Sequence, residues 1–487
     1  MNRPIRALAA ACLVMFLALL VNVNYVQFVQ ADSLNSKNGN KRVVNEEFSR
    51  DRGPILVGGE PVAESVRSDD AYKYQRVYSD GKLYAPVTGY FSYIYGRGGL
   101  EYSENSVLSG SDNRLFVSRV VDVLANKQPK GGSIETTLDP LAQEAAAAGL
   151  ARLGPTTRGA AVAIRPSTGE VLAMVSQPSY DPSTLASHHF GSVERAWTKL
   201  LNSKTQPLLN RATQQTLPPG STFKLVTAAA ALEKLGLQPD DMVQAGSRLS
   251  FPGVTYTLGN HDGGNCGGDR ITFEHALEVS CNVAFGGLAG QIGAGALADQ
   301  ARAFGFGTDP LEGLPSSPSR FPTGHMEPPQ VAQAGIGQYD VSASPLQMAM
   351  VAAAVANGGE VMRPFVVKAV RAPNLRVLDE TEPESLGRAM SSANAGKLTQ
   401  MMVSTVTRGT AASARIPGMD VAGKTGTAQS TKDRPPYAWF VSFAPADNPQ
   451  VAVAVVVESS NTARSEIAGG RLAGPVARAV MQAVLGQ

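Results

Sequence analysis

The chain has 487 residues, of which 43% are hydrophobic and 17% charged, so it is long enough for more than one folded domain and too apolar for a disordered polymer. Its formal net charge is +2 and it has no Lys/Arg run, which gives no footing for a nucleic-acid partner. The five histidines show no metal-ligand spacing, so zinc is not expected; no cofactor is expected either.

The first element is a membrane span. "MNRPIRALAAACLVMFLALLVNVNYVQFVQADS" carries Arg3 and Arg6, then an apolar run from Ala7 to Val21 that continues past Asn22, Asn24 and Gln27 to Val29. About 20 such residues cross roughly 30 Å of hydrocarbon. Arginines ahead of the run keep the N-terminus in the cytoplasm and export the body of the chain. We read residues 1–6 as a cytoplasmic tail and 7–28 as a single-pass signal anchor, with Tyr25 and Phe28 at the interface. A signal peptide cleaved after Ala31, in Val29-x-Ala31, is the competing reading.

From Lys41 to about Gly132 the chain is rich in Tyr, Gly and Ser, with strand-like pieces such as "GPILVGG" and "YKYQRVY". This reads as an elongated β-rich module over 29–156. "SIETTLDPLAQEAAAAGLARLG" then reads as a strand running into a helix, with Asp139 as N-cap and Pro140 at its first position. "GAAVAIRPSTGEVLAMVSQPSYDP" is two apolar strands around a "PSTGE" turn.

"LPPGSTFKLVTAAAALEKLG" comes next, a helix opening on Ser221. Ser221 and Lys224 are i and i+3 and share a face. The rest of the stretch (Leu225, Val226, Ala228 to Leu232) is nearly all apolar, so the lysine is carried toward a buried face, which is costly for a cation without a task. The middle, from about Gln238 to Pro345, mixes short helices with Gly/Pro loops. "PLQMAMVAAAVANGG" is a helix. "GMDVAGKTGTAQ", "YAWFVSFAP" and "QVAVAVVVESS" are three successive strands, and "GGRLAGPVARAVMQAVLGQ" is the closing helix. The first hairpin and the last three strands therefore suit one antiparallel sheet, over a body spanning 157–487.

The exported body has two cysteines, Cys266 and Cys281, besides Cys12 in the anchor. In an oxidising compartment they are a candidate disulfide, with two free thiols as the alternative.

Three short motifs occur in order: Ser221-Thr222-Phe223-Lys224, Ser280-Cys281-Asn282 and Lys424-Thr425-Gly426-Thr427. SxxK recurs at Ser79–Lys82, in a turn without an apolar helix behind it, and SxN recurs several times. KTG occurs once, in an expected strand. SxxK, an SxN-type motif and KTG together are the signature of penicillin-binding proteins and class A β-lactamases. An acyl transferase needs a nucleophile, a proton acceptor, a grip on the substrate and an oxyanion hole. Ser221 is the candidate nucleophile and Lys224 its base. Lys224 must be neutral to act, and burial beside Lys424 would lower its pKa.

The resemblance extends beyond the motifs. "NRATQQTLPPGSTFK", the first hairpin, "IGQYDVSASPLQMAMVAAAVANGG" and "KTGTAQ…YAWFVSFAP" resemble a penicillin-binding protein transpeptidase domain. "SRDRGPIL" behind the anchor resembles the start of the front module in class B, monofunctional members, and the chain is most similar to their short actinobacterial type. The resemblance implies an α+β fold: an antiparallel five-stranded sheet with flanking helices and an all-helical subdomain, preceded by a pedestal or dimerisation-like module and one transmembrane helix.

It also implies roles. Ser280 would relay a proton to the leaving amine. Asn282 would bond the donor's peptide amide and hold Lys224. Lys424, Thr425 and Thr427 would line the edge that takes the substrate carboxylate, and Gly426 would keep that edge clear for the substrate backbone. The N–H groups of Ser221 and Thr427 would form the oxyanion hole. Cys281, where Ser or Asp is common, is expected to turn away from the cleft. The implied reaction is cross-linking of peptidoglycan stem peptides ending in D-Ala-D-Ala, with β-lactams acylating the same serine. A glycan polymerase of the shape, elongation, division and sporulation family is the implied membrane partner, with the catalytic body outside a bacterial cell membrane. A β-lactamase, a D,D-carboxypeptidase, a β-lactam sensor and a catalytically dead scaffold are the competing functions. The front module, the anchor and the intact motifs weigh against each of them in turn.

Overall fold

The computed structural model describes residues 2–30, 33–34, 45, 47–116, 120, 124, 130–261, 263–429 and 434–487; the candidate cleavage position after Ala31 lies outside these. Helix α1 (Asn2–Asn24) runs on through a π-helical turn, Tyr25–Val29. Among the described residues Arg3–Val29 is the one helix long and apolar enough to cross a membrane, and its apolar window buries nothing against the rest of the chain.

Strands β1 (Ile55–Val57), β2 (Glu60–Arg67) and β3 (Tyr74–Tyr78) form the front of the molecule, and β4 (Ser133–Thr136) returns to pair parallel with β1. Short helices at 81–88, 100–103 and 105–108 lie between them, with a small antiparallel pair of Phe91–Ser92 and Gly96–Arg97, so the module is less purely β than its composition implies. Beneath the strands Glu101 is fully buried and bonds Arg52 at 2.6 Å and Arg76 at 2.7 Å.

Helix α2 (Pro140–Ala151) starts as its sequence dictates: the Asp139 carboxylate accepts the Ala142 N–H at 2.9 Å, and Pro140 needs no partner for a missing N–H. Then come β5 (Arg158–Ile164), β6 (Val171–Gln177), helix α3 (Lys224–Lys234) and the hairpin β7 (Arg248–Phe251) and β8 (Val254–Gly259). Helices α4 (Phe273–Glu278), α5 (Asn282–Ile292) and α6 (Pro345–Ala356) come after it. The chain ends with β9 (Val367–Arg371), β10 (Val377–Glu380), α7 (Ser392–Thr407), β11 (Ala422–Ala428), β12 (Tyr437–Ala444), β13 (Val451–Ser459) and α8 (Gly469–Val484).

The central sheet has the order β11-β12-β13-β5-β6, antiparallel throughout. This is the sheet expected from the first hairpin and the last three strands. Both its faces are covered, so its strands are apolar on both sides, and alternate residues go to opposite cores. Trp439, Val441 and Phe443 pack with α6, whereas Ala438 and Phe440 pack with α2 and α8. β6 is one edge. The other edge, β11, carries the KTGT motif.

A second sheet, β10-β9-β4-β1-β2-β3, joins strands from residues 367–380 to the front module. The module and the body thus share a sheet. They are also tied by an aromatic cluster of Phe48, Tyr72 and Tyr93 with His188 and Phe190, and by the pair of Asp70 with His188.

Candidate active site

Ser221 does not cap an α-helix. Gly220–Phe223 is a single 3₁₀ turn, and α3 begins at Lys224 with Phe223 as an N-cap that makes no side-chain bond. Thr222 instead donates to the Pro219 carbonyl at 2.8 Å. Ser221 is therefore not spent on local structure; it is half-buried and lines a cleft of about 860 Å³. The turn is pressed against β11. A Cβ on Gly426 would lie 2.9 Å from Pro219 O and 2.9 Å from Thr222 Cγ2, so glycine is required there by the nucleophile turn. The nucleophile turn thus gives its own reason for glycine, beside the expected room for a substrate backbone. The Trp439 indole fastens the same turn by donating to Pro218 O at 2.9 Å.

The SxN motif is a helix ending. α4 closes with the Ser280 N–H on Leu277 O at 3.1 Å and the Cys281 N–H on Ala276 O at 2.9 Å, a Schellman motif. Its left-handed position, usually Gly, is Ser280 at φ 59°. A non-glycine residue there costs about 1–2 kcal/mol. Backbone strain of this kind collects where a side chain is needed at a fixed point. Here it delivers a hydroxyl between two lysines. Cys281 is joined to Cys266, with Cα atoms 5.8 Å apart. The expectation that Cys281 turns away from the cleft holds only for its burial, because both half-cystines form part of the cleft wall.

Lys224 and Lys424 have no exposed surface. The Lys224 amine donates to Ser280 O at 2.7 Å and Asn282 Oδ1 at 2.7 Å, and lies 3.2 Å from Ser280 Oγ. Lys424 donates to Ser280 Oγ at 2.8 Å and to Thr425 O at 2.9 Å. Burial, and then the neighbouring Lys424 charge, hold the Lys224 pKa well below its ordinary value. Burial alone brings Lys424 down to about 7. A neutral Lys224 has two protons, and the two shortest contacts, both to carbonyl oxygens, use them. Its lone pair is left free to take a proton.

Ser221, Ser280, Asn282, Thr425 and Thr427 line the one cleft, with Lys224 and Lys424 buried behind Ser280; Gly426, within β11, faces the nucleophile turn at Pro219 and Thr222. Sequence reasoning missed other residues of the wall, among them Asn260 and Thr410. Thr410 accepts a hydrogen bond from Thr425 Oγ1 at 2.9 Å. Nothing local marks either residue, because both sit in loops brought in by tertiary contacts.

Comparison with known proteins agrees with this geometry. Residues 159–482 match the penicillin binding protein transpeptidase domain, and residues 52–134 match the penicillin binding protein A dimerisation domain. The chain is 42% identical over 492 residues to the peptidoglycan D,D-transpeptidase PbpA of Mycolicibacterium smegmatis, covering 100% of this chain and 99% of the relative. It is 40% identical over 495 residues to PbpA of Mycobacterium tuberculosis, with the same coverage. The ceftriaxone acyl-enzyme structure of penicillin-binding protein A from M. tuberculosis superposes with a TM-score of 0.86 at 41% identity, over 91% of this chain and 100% of that one.

Proposed function

The chain belongs to the penicillin-binding protein transpeptidase family, and from that premise we propose that Ser221 is the acylated nucleophile, Lys224 its base and Ser280 the proton relay. The protein is a serine-type peptidoglycan D,D-transpeptidase, acylated by β-lactams. Ser221 Oγ attacks the carbonyl between the two D-alanines of a donor stem peptide, and its proton passes to the Lys224 lone pair. Ser280 gives its proton to the departing D-Ala amine and takes the Lys224 proton in its place, which leaves Lys224 neutral again. An amine of a second stem peptide then attacks the ester and loses its proton to Lys224, which hands it to Ser221 Oγ as the acyl–serine bond breaks. Lys424, Thr425 and Thr427 hold the donor's carboxylate, and Asn282 bonds its peptide amide. The N–H groups of Ser221 and Thr427 stabilise the oxyanion. Gly426 serves this edge by letting the nucleophile turn close against it.

One observation carries the assignment: the Ser280 hydroxyl lies 3.2 Å from one buried amine and 2.8 Å from another. Two ammonium groups so close in a low-dielectric site cannot both keep their protons. A lysine that gives its proton up is a base.

The anchor supports a body held outside a bacterial cell membrane, and the front module with it supports a partner in the membrane, a glycan polymerase of the shape, elongation, division and sporulation family. Mass spectrometry tests the chemistry. A penicillin should add to Ser221 and to nothing in Ser221→Ala, and a D-Ala-D-Ala thioester mimic with an amine acceptor should give transfer product. Adducts on Ser221→Ala would overturn the assignment.

A further inference from the structure

We infer that Asn260 is a positioning residue for this acyl transfer: from the loop after β8 it caps helix α5 and so fixes the turn that presents Ser280 and Asn282 to the two lysines. The inference rests on the roles proposed for Ser221, Lys224 and Ser280.

The first N–H groups of a helix need acceptors from outside it. At α5 the N-cap residue is Cys281, and it makes no side-chain cap. Its sulfur is committed to Cys266. Asn260 supplies what is missing. Its Oδ1 accepts the Asn282 N–H at 2.9 Å and the Val283 N–H at 3.1 Å. Its Nδ2 donates to Gly246 O at 2.8 Å and Gly264 O at 2.7 Å. A carboxamide offers two acceptor sites and two protons, and all four are used. Asn260 borders the cleft with no hydrogen-bonding capacity left for a ligand, which separates a positioning role from a substrate contact.

The preceding residue completes the hold. Gly259 O accepts from Asn282 Nδ2 at 3.1 Å, which fixes the amide orientation and turns Oδ1 to Lys224 at 2.7 Å. Residue 260 thus grips the backbone of Asn282, residue 259 grips its side chain, and the disulfide fastens the same loop to Cys281. Ser280, one residue further back, sits in a strained left-handed conformation and has no slack. A displacement of about 1 Å in such a site costs on the order of 10²-fold in rate.

The bland reading is that Asn260 merely shapes its own loop through Gly246 and Gly264. Two variants of the full chain in detergent divide the readings. Asn260→Ala removes all four bonds. Asn260→Asp keeps the acceptors, with a negative charge that suits a helix N-terminus, and loses both donors. The measurement is acylation by a fluorescent penicillin, resolved into binding (Ks) and acylation (k2), with thermal unfolding alongside. We expect Asn260→Ala to lower k2 by about tenfold to a hundredfold at nearly unchanged Ks, and Asn260→Asp to recover most of that loss. Wild-type k2 in Asn260→Ala, or equal losses in both variants, overturns the inference while wild type still labels on Ser221. Should Asn260→Ala fail to fold, Asn260→Asp decides: k2 close to wild type upholds the cap, and a loss of about tenfold or more overturns it. Wild type that does not label at all overturns the underlying reading of Ser221 instead, and the inference with it.

Discussion

Lys424 donates a 2.8 Å hydrogen bond to the hydroxyl of Ser280, 144 residues away along the chain. Ser280 reaches that point only because it occupies the left-handed position of a helix ending, and Lys424 only because it lies on an edge strand of a sheet assembled from both ends of the body. Neither the turn nor the strand is catalytic by itself. Together they place an oxygen where it bridges two amines that have no water to solvate them.

Removing that oxygen separates chemistry from backbone strain. Ser280→Ala and Ser280→Gly both lack the hydroxyl, and both should slow acylation by about 10²- to 10⁴-fold, the usual range for a lost proton-transfer group. Gly suits φ 59° and Ala does not, so Ser280→Gly should be the more stable of the two by about 1 kcal/mol. Penicillin labelling rates and thermal unfolding measured on the same samples check both. If Ser280→Gly labels at the wild-type rate, the hydroxyl is not a relay.

Lys424 predicts a stability that rises with pH. Burial brings its pKa to about 7 from an ordinary 10.5. Between those values the unfolded chain binds the proton and the folded chain does not, so raising the pH favours folding. Below about 7 both states are protonated and the folded state bears the full cost of a buried ammonium; above the ordinary value neither does. Lys424→Met has no such term. The stability of wild type relative to Lys424→Met should therefore climb by roughly 4 kcal/mol from about pH 6 to above pH 10. Chemical denaturation of both chains across that range measures it, and a pH-independent difference refutes it.

The central sheet was legible because its strands are short continuous apolar runs bounded by turns; which core each residue enters, Trp439, Val441 and Phe443 on one side and Ala438 and Phe440 on the other, shows only in the fold. The motif residues were legible because their types are improbable in apolar surroundings: a lysine one turn into a buried helix asks for a reason. Two features had no local signature. Residues 367–380 pair with β4 in the front sheet, a contact made only once the body closes. The reasons behind Gly426, Trp439 and Asn260 lie across the fold, in Pro219, Pro218 and the start of α5. Pattern reports which stretches are buried, and it is silent about which loop arrives there.

Glu101 tests the front module without touching the chemistry. Its carboxylate is fully buried and holds Arg52, Arg76 and, at 3.1 Å, the Tyr78 hydroxyl. Burial pushes its pKa up, but Arg76 and Arg52 outweigh that and leave it below the ordinary value. Glu101→Gln would strand two guanidinium groups in the interior, a loss of about 3–5 kcal/mol for a broken buried pair. A depressed carboxyl pKa stabilises the fold above its unfolded value, and the benefit is lost as pH falls through the folded one. The wild-type advantage over Glu101→Gln should therefore be full near neutrality and shrink in acid below about pH 4. Thermal unfolding across that range reads it out. The cleft is built from other elements, so Glu101→Gln that still folds should be acylated by penicillin at the wild-type rate. Slow acylation in a folded Glu101→Gln chain would mean that the front module reaches the active site after all, through the sheet it shares with β9.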